Sequence, residues 1–352
     1  MKRSREISIL DTFFQRAARR TLIIQTHDIP DPDAMGSAEA FRLIAREYGF
    51  RSVIVANGMP QRRENIIFIR ECHIHVKPLN TVKILKPQKY AWVYIDCLPG
   101  RGNVTLHQSA PGDLYLAVDH HGKPSVSERN RKDVFIIHDP KAGATATVLA
   151  EMLRDLHIDV PARLATALSY AIISDTQDFS RGALETDLNM YAFLFPGANQ
   201  RIISRIRNTT KPRSHFRTVA RSLNNAMYYR HIAWVMVGSV DSSETVAEMA
   251  DMILSTERIT WALAVGFTPK RLYLSIRSSS PKAMSSRIIK RIVPRSPSTV
   301  GGHDQFAGGF VPLDSDADPK AVAEEIIHRF VRILLRIPRS QPVPEGARLI
   351  GE

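Results

Sequence analysis

A chain of 352 residues, 44% hydrophobic and 24% charged, has material for two ordinary domains, each with its own core. Two cysteines exclude a disulfide framework, and no apolar run reaches the ~20 residues that span a bilayer. The net charge of +13 falls mostly on residues 196–352, where 23 Lys and Arg face 13 Asp and Glu, which points to a polyanionic substrate or partner.

At the N-terminus, charges flank a very short apolar patch in MKRSREISILDTFFQRAARR, unlike the h-region of a signal peptide, and a cytoplasmic protein is expected. From Thr21 onward, short β-rich runs alternate with helical patterns. The strands are TLIIQT (21–26), SVIVAN (52–57), AWVYID (91–96), LYLAVD (114–119) and VFIIHD (ending at 139); helical periodicity marks 34–48, 144–157, 161–174 and 186–195. Continuous hydrophobicity in the strands is what burial on both faces demands. The expectation is an α/β domain over residues 1–195 with a doubly wound, mainly parallel sheet.

Pro196-Gly197 closes the last of these helices. Between 196 and 225 there are seven basic residues, Arg201, Arg205, Arg207, Lys211, Arg213, Arg217 and Arg221, and no acidic one, so this stretch reads as a basic linker, helix-like over 201–221. A smaller α+β domain follows over 226–337. Its strands are 231–240, 260–267, 271–279 and 308–313, its helices 243–254, 282–292 and 318–336, and a glycine-rich turn lies between. The tail 338–352 reads as loosely ordered.

The chemistry gathers at strand ends. In open parallel sheets, ligands bind outside the carboxyl ends of the strands where strand order reverses. His27, Asp31 and Asp33 follow the first strand, Asp96 closes AWVYID, and Asp119, His120 and His121 close LYLAV. Asp175 follows a helix able to return its end to the same edge. Asp and His without cysteine favour Mn²⁺ or Mg²⁺ over structural zinc. Six such groups exceed the need of one ion but suit two ions sharing a carboxylate, an arrangement that activates water for in-line displacement at phosphorus. Alone, the Asp31/Asp33 pair reads as a helix cap; His-x3-Asp-x-Asp answered by Asp-His-His is far more specific. Pro30 and Pro32 fix φ on either side of Asp31, and Gly36-Ser37-Ala38 are taken to open the following helix.

Here the chain resembles the DHH phosphoesterase superfamily. The matching blocks are HDIPDPDAMGSA (27–38), YIDCLPGR (94–101), VDHH (118–121) and SDTQDF (174–179), and the second domain resembles the DHH-associated domain through SIRS (275–278) and GGHDQFAGG (301–309). Within the superfamily a chain of this length is similar to the oligoribonuclease and pAp-phosphatase (nanoRNase) group. The resemblance implies two Mn²⁺ ions, or Mg²⁺: His27 and Asp31 on one, Asp33, His120 and Asp175 on the other, Asp96 bridging. It further implies that Asp119 orients His120, that Asp96 and His121 are catalytic, and that His121, Arg277, Gly301, Gly302 and His303 contact substrate in an interdomain cleft. The implied partner is a short RNA, pAp or a dinucleotide such as pApA, with a homodimer admitted and no membrane involved.

Two departures stand out. Pro32 replaces the glycine common between the two motif aspartates, and Asp304 stands where the group often has proline after the motif histidine; the latter bears on substrate choice. Two other functions are carried beside the leading one, a pyrophosphatase or polyphosphatase of the same superfamily and a non-catalytic nucleotide or RNA sensor. Cys72 and Cys97 are expected as buried thiols, His73 and His75 as surface imidazoles, and Thr145 as the cap of its helix.

Overall fold

The computed structural model of the protein describes residues 5–60, 62–99, 104–110, 114–121, 133–180, 182–280, 282–293, 299–302 and 305–351. The chain divides into two compact units, Met1–Thr209 and Thr210–Glu352.

The first unit is built on β1 (Thr21–Gln25), β2 (Ser52–Ala56), β3 (Val76–Pro78), β4 (Tyr90–Ile95), β5 (Tyr115–Asp119) and β6 (Val134–His138). They form one sheet in the order β3-β2-β1-β4-β5-β6, and every pairing is parallel. Strand order reverses between β1 and β4, the doubly wound arrangement. The alternation of side chains splits the strands between two cores. Leu22, Ile24, Val93, Ile95, Leu116 and Val118 face a helical layer, whereas Ile23, Trp92, Tyr94, Tyr115 and Ala117 face the opposite way, covered among the described residues by loop side chains such as Leu79, Leu98 and Val104.

That helical layer contains α1 (Arg5–Arg16), α2 (Pro32–Glu47), α4 (Thr145–Asp155) and α5 (Ala162–Asp175), while α3 (Arg63–Glu71), α6 (Glu185–Leu194) and α7 (Gln200–Arg207) flank it. Helix α1 forms where the sequence shows only a short apolar patch: ISILDTFF supplies Ile7, Leu10, Phe13 and Phe14 at helical spacing, all buried. Cys72 and Cys97 are buried, and the Cys97 thiol donates to the Gln25 carbonyl at 3.8 Å. His73 and His75 are exposed.

Residues 196–225 are not bare linker: they carry α7 in the first unit and α8 (Arg213–Asn225) in the second. Ile203 and Ile206 bury one face of α7, and several of the cations are engaged, Arg205 with Glu71 at 2.8 Å and Arg207 with Asp178 at 2.8 Å.

The second unit is a seven-stranded sheet in the order β11-β12-β10-β9-β8-β7-β13. Its strands are β7 (Met227–Tyr229), β8 (Ile232–Ser239), β9 (Trp261–Thr268), β10 (Arg271–Ser278), β11 (Thr299–Gly302), β12 (Phe306–Pro312) and β13 (Ala347–Arg348). Only β8 and β9 pair in parallel, joined through α9 (Ser243–Leu254). Helices α8 and α9 cover one face, α10 (Ser285–Ile292) and α11 (Pro319–Leu335) the other. The expected glycine-rich turn contributes β11 instead. A Cβ on Gly302, at φ +147°, would lie 2.2 Å from the Phe306 carbonyl oxygen, so only glycine closes this hairpin. The tail is tied down rather than loose: β13 pairs with β7, and the Leu349 N–H donates to the Ala226 carbonyl at 2.8 Å.

Candidate metal centre

Four segments deliver side chains to the carboxyl edge of the first sheet, beside the β1/β4 reversal. The β1–α2 segment is set first by Asp28, whose carboxylate accepts the Thr105 N–H at 2.9 Å, the Thr105 hydroxyl at 2.6 Å and the Asn57 amide at 3.2 Å. Ile29 turns the backbone through φ 54°, and Asp31 then caps α2, its Oδ1 accepting the Ala34 N–H at 3.0 Å, with Pro32 at the first helical position. Gly36-Ser37-Ala38 therefore lie inside α2, not at its start. Asp31 is at once a helix cap and a member of the site.

Asp96 ends β4 and Asp119 ends β5. Asp96 is a non-glycine residue at φ 59°, a conformation that costs about 1–2 kcal/mol and aims its carboxylate across the sheet edge. Its Oδ2 lies 3.6 Å from His27 Nε2, and its Oδ1 lies 3.7 Å from His120 Nε2 and 3.4 Å from His121 Nδ1. The hydroxyl of Thr145 donates to that Oδ1 at 2.8 Å. Asp175 is the last residue of α5, and its Oδ2 lies 3.4 Å from His120 Nε2. Three consecutive left-handed residues follow, Gln177, Asp178 and Phe179.

Asp33 is almost wholly buried and sits at the start of α4. Its two oxygens accept the N–H groups of Thr145 and Ala146, each at 2.8 Å. Thr145 does not cap its own helix; a carboxylate from α2 does.

These side chains form three groups whose ligand atoms lie within 4.8 Å of one another: His27 with Asp31 and Asp96, Asp33 with His120 and Asp175, and Asp96 with His120 and His121. Each ring is set by its other nitrogen. The His27 Nδ1–H donates to the Asp28 carbonyl at 2.9 Å and the His120 Nδ1–H to the Ala142 carbonyl at 3.1 Å, which leaves both Nε2 atoms facing the carboxylates. The expectation that Asp119 orients His120 is therefore corrected. Asp119 Oδ1 accepts the backbone N–H of His121 at 2.9 Å and its Nδ1–H at 3.2 Å, because residue i+2 at a strand end is in reach and the His120 ring turns toward Ala142.

Four carboxylates converging in a buried space repel one another. Burial, with Asp96, Asp175 and Asp31 adding their charges, raises the Asp33 carboxyl well above the usual range. Burial lowers His120, keeping it neutral. Burial also opposes charge on His27, but Asp31, 3.8 Å away, and Asp96 outweigh it with their charges and lift the imidazole to about 9; Asp31 falls to about 2 in return. For His121, the bonds to Asp119 and Asp96 likewise overcome burial and raise it to about 11.

The donor set fits divalent cations. His120 Nε2 is buried without a hydrogen-bond partner and points at three carboxylates, an arrangement a cation would complete. His27, Asp31, Asp33, Asp96, His120 and Asp175 would hold it.

In the second unit, Arg277 Nε donates to Asp251 at 2.6 Å and Nη1 to the Ser275 hydroxyl at 2.7 Å, and the guanidinium lies 5.0 Å over the Phe306 ring. Gly301 and Gly302 are exposed, with open space beside Gly301. His303 and Asp304 lie outside the described residues. Sequence reading missed Asp28 and Ala142; nothing in their spacing distinguishes them.

A parallel α/β sheet with a carboxylate–imidazole cluster at its reversal point defines a candidate oxygen-and-nitrogen metal centre on a doubly wound fold. Residues 21–172 match the model of the DHH family, N-terminal domain. An uncharacterized protein of Methanocaldococcus jannaschii is 26% identical over 321 residues, 89% of this chain and 64% of its own length. A probable manganese-dependent inorganic pyrophosphatase of Enterococcus faecalis is 23% identical over 155 residues, 44% of this chain and 48% of that one. The chain thus spans less than two thirds of these relatives. The crystal structure of an exopolyphosphatase-related protein from Bacteroides fragilis shares the fold, with a TM-score of 0.74 at 15% identity over 94% of this chain and 97% of that one. Among the described residues, no helix is long and apolar enough to cross a membrane.

Proposed function

We propose that the protein is a Mn²⁺-dependent phosphohydrolase that cleaves short oligoribonucleotides, pAp or dinucleotides such as pApA. The observation that carries this reading is the position of Asp96, whose two oxygens face two different imidazoles, His27 and His120, at 3.6 and 3.7 Å. One carboxylate is thereby shared between two ligand groups, as a two-ion site requires.

Two cations bound there would lower the pKa of a water and neutralise charge at phosphorus. The chain's own residues do the rest. Thr145 holds the Asp96 carboxylate in place, and the α4 N–H groups hold that of Asp33. His121, kept protonated by Asp119 and Asp96 and half exposed, offers its Nε2–H to a phosphate oxygen. Contacts of Arg277, Gly301, Gly302 and His303 with substrate belong to the same proposal, as does Mn²⁺ rather than Mg²⁺.

A second reading, a pyrophosphatase, is favoured by the curated manganese-dependent pyrophosphatases that match 43–44% of this chain. Rates with Mn²⁺ on pAp, pApA, cyclic dinucleotides, RNAs of two to five nucleotides and pyrophosphate separate the two. Turnover of nucleotide phosphoesters ahead of pyrophosphate supports the first; phosphate release from pyrophosphate alone replaces it with the second.

A further inference from the structure

The second unit holds a cavity of about 1250 Å³ whose charged lining is entirely basic: Lys290, Arg291, Arg329, Arg332, Arg336 and Arg339. None of these residues belongs to the metal centre. The cavity lies where α10 and α11 end, and two of its cations have structural work. Arg329 Nη1 donates to the Ile292 carbonyl at the end of α10 at 3.3 Å, and Arg332 Nη1 donates to the carbonyls of Pro338 and Gln341 at 2.5 and 3.0 Å, folding the tail back. Arg329 also pairs with Glu325.

The other four, Lys290, Arg291, Arg336 and Arg339, are exposed and have no ion-pair or side-chain hydrogen-bond partner among the described residues. Cations near a helix C-terminus complement its dipole, but that effect is worth only about 0.3–1 kcal/mol and is already served by Arg329. It does not explain four more like charges around one cavity. Arg336 adds a second oddity. It occupies the left-handed C-cap of α11 at φ 55°, a position where glycine is the low-strain choice. Strain is accepted there, and a guanidinium is placed on the rim.

We propose that this cavity binds an oligophosphate of three or more negative charges, recognised through its phosphate oxygens alone. Guanidinium forks match phosphate oxygens in pairs, and five of the six cations are arginines. The remaining lining is aliphatic, from residues such as Val293, Ile333 and Ile337, with no aromatic ring on which a base would stack. Inorganic tripolyphosphate and the triphosphate tail of a nucleotide present the same group. The proposal stands apart from the hydrolytic reading of the metal centre.

The test is calorimetric titration of the full chain in EDTA, so that no metal-held phosphate contributes, with tripolyphosphate, ATP and inorganic phosphate at two salt concentrations. Tripolyphosphate and ATP are expected to bind alike, and phosphate at least about tenfold more weakly. The double variant R291A/R336A should lose about tenfold or more in tripolyphosphate affinity with a shallower salt dependence, R291K/R336K should retain most of it, and Arg277→Ala should bind as wild type. Unchanged binding in R291A/R336A, binding of ATP but not tripolyphosphate, or no binding by either would overturn the proposal.

Discussion

The Asp33 carboxylate, on the second residue of one helix, accepts the backbone N–H of Thr145 at the start of another, 112 positions away, at 2.8 Å. The same group lies 3.9 Å from His120 Nε2. One side chain therefore fastens α4 to α2 and supplies charge to the metal centre, so fold and site cannot be varied independently there. Asp33→Ala leaves two buried N–H groups uncapped and should destabilise the metal-free protein by about 1–3 kcal/mol. Asp33→Asn keeps one acceptor, removes a repelled charge and should lose less. Thermal unfolding in EDTA and in Mn²⁺ separates the roles: both variants should also lose stabilisation by Mn²⁺.

The Thr145 hydroxyl holds the Oδ1 of Asp96, and no other hydroxyl among the described residues does so. Thr145→Val, nearly isosteric, should cost about 1–3 kcal/mol in unfolding free energy and lower kcat more than it raises KM, whereas Thr145→Ser should stay close to wild type. Equal kinetics in the valine variant would show that Asp96 keeps its place unaided.

Metal affinity should climb with pH. In the metal-free protein His27 carries a proton up to about 9, against 6.5 unfolded, and a cation must displace it. The sign for stability is opposite: this raised imidazole stabilises the metal-free fold fully below pH 6.5, and the contribution disappears as pH rises through about 9. Calorimetry of Mn²⁺ binding at pH 7 in buffers of different ionisation heat should reveal proton release, reduced in His27→Ala.

The Asp119–His121 contact predicts a pH effect of its own. The hydrogen bond to Asp119 is the largest single influence raising His121, so Asp119→Asn should bring the His121 imidazole down from about 11. Histidine-resolved NMR titration of the metal-free protein reads it directly. A His121 resonance still protonated at the same pH would assign its high value to Asp96 instead.

Strand ends were the legible part of this sequence. Apolar runs of five or six residues closed by Asp or His announced β1, β4 and β5 and the Asp and His side chains gathered at their ends, because strand ends need no long-range knowledge to locate. Contacts across the fold were opaque. Thr145 reads as a cap from its neighbours, and only the 112-residue closure onto Asp33 shows otherwise. Asp28, pinned to Thr105, and Ala142, whose carbonyl orients His120, carry no sequence signal at all. The helices α7 and α8 show in the sequence only as a basic, helix-like linker: charge dominates the pattern, while Ile203 and Ile206 fill the buried face. Strands β3, β7 and β13, two or three residues long, are too short to show a period.

In the proposed mechanism Asp96 joins two ion sites. Electron paramagnetic resonance of the protein titrated with Mn²⁺, with ion content measured after dialysis, tests it most directly. Two ions per chain and a spin-coupled signal are expected for the wild type, and in Asp96→Asn loss of that coupling together with loss of phosphoester hydrolysis. A single uncoupled ion in the wild type, or full coupling and turnover in Asp96→Asn, would contradict the account.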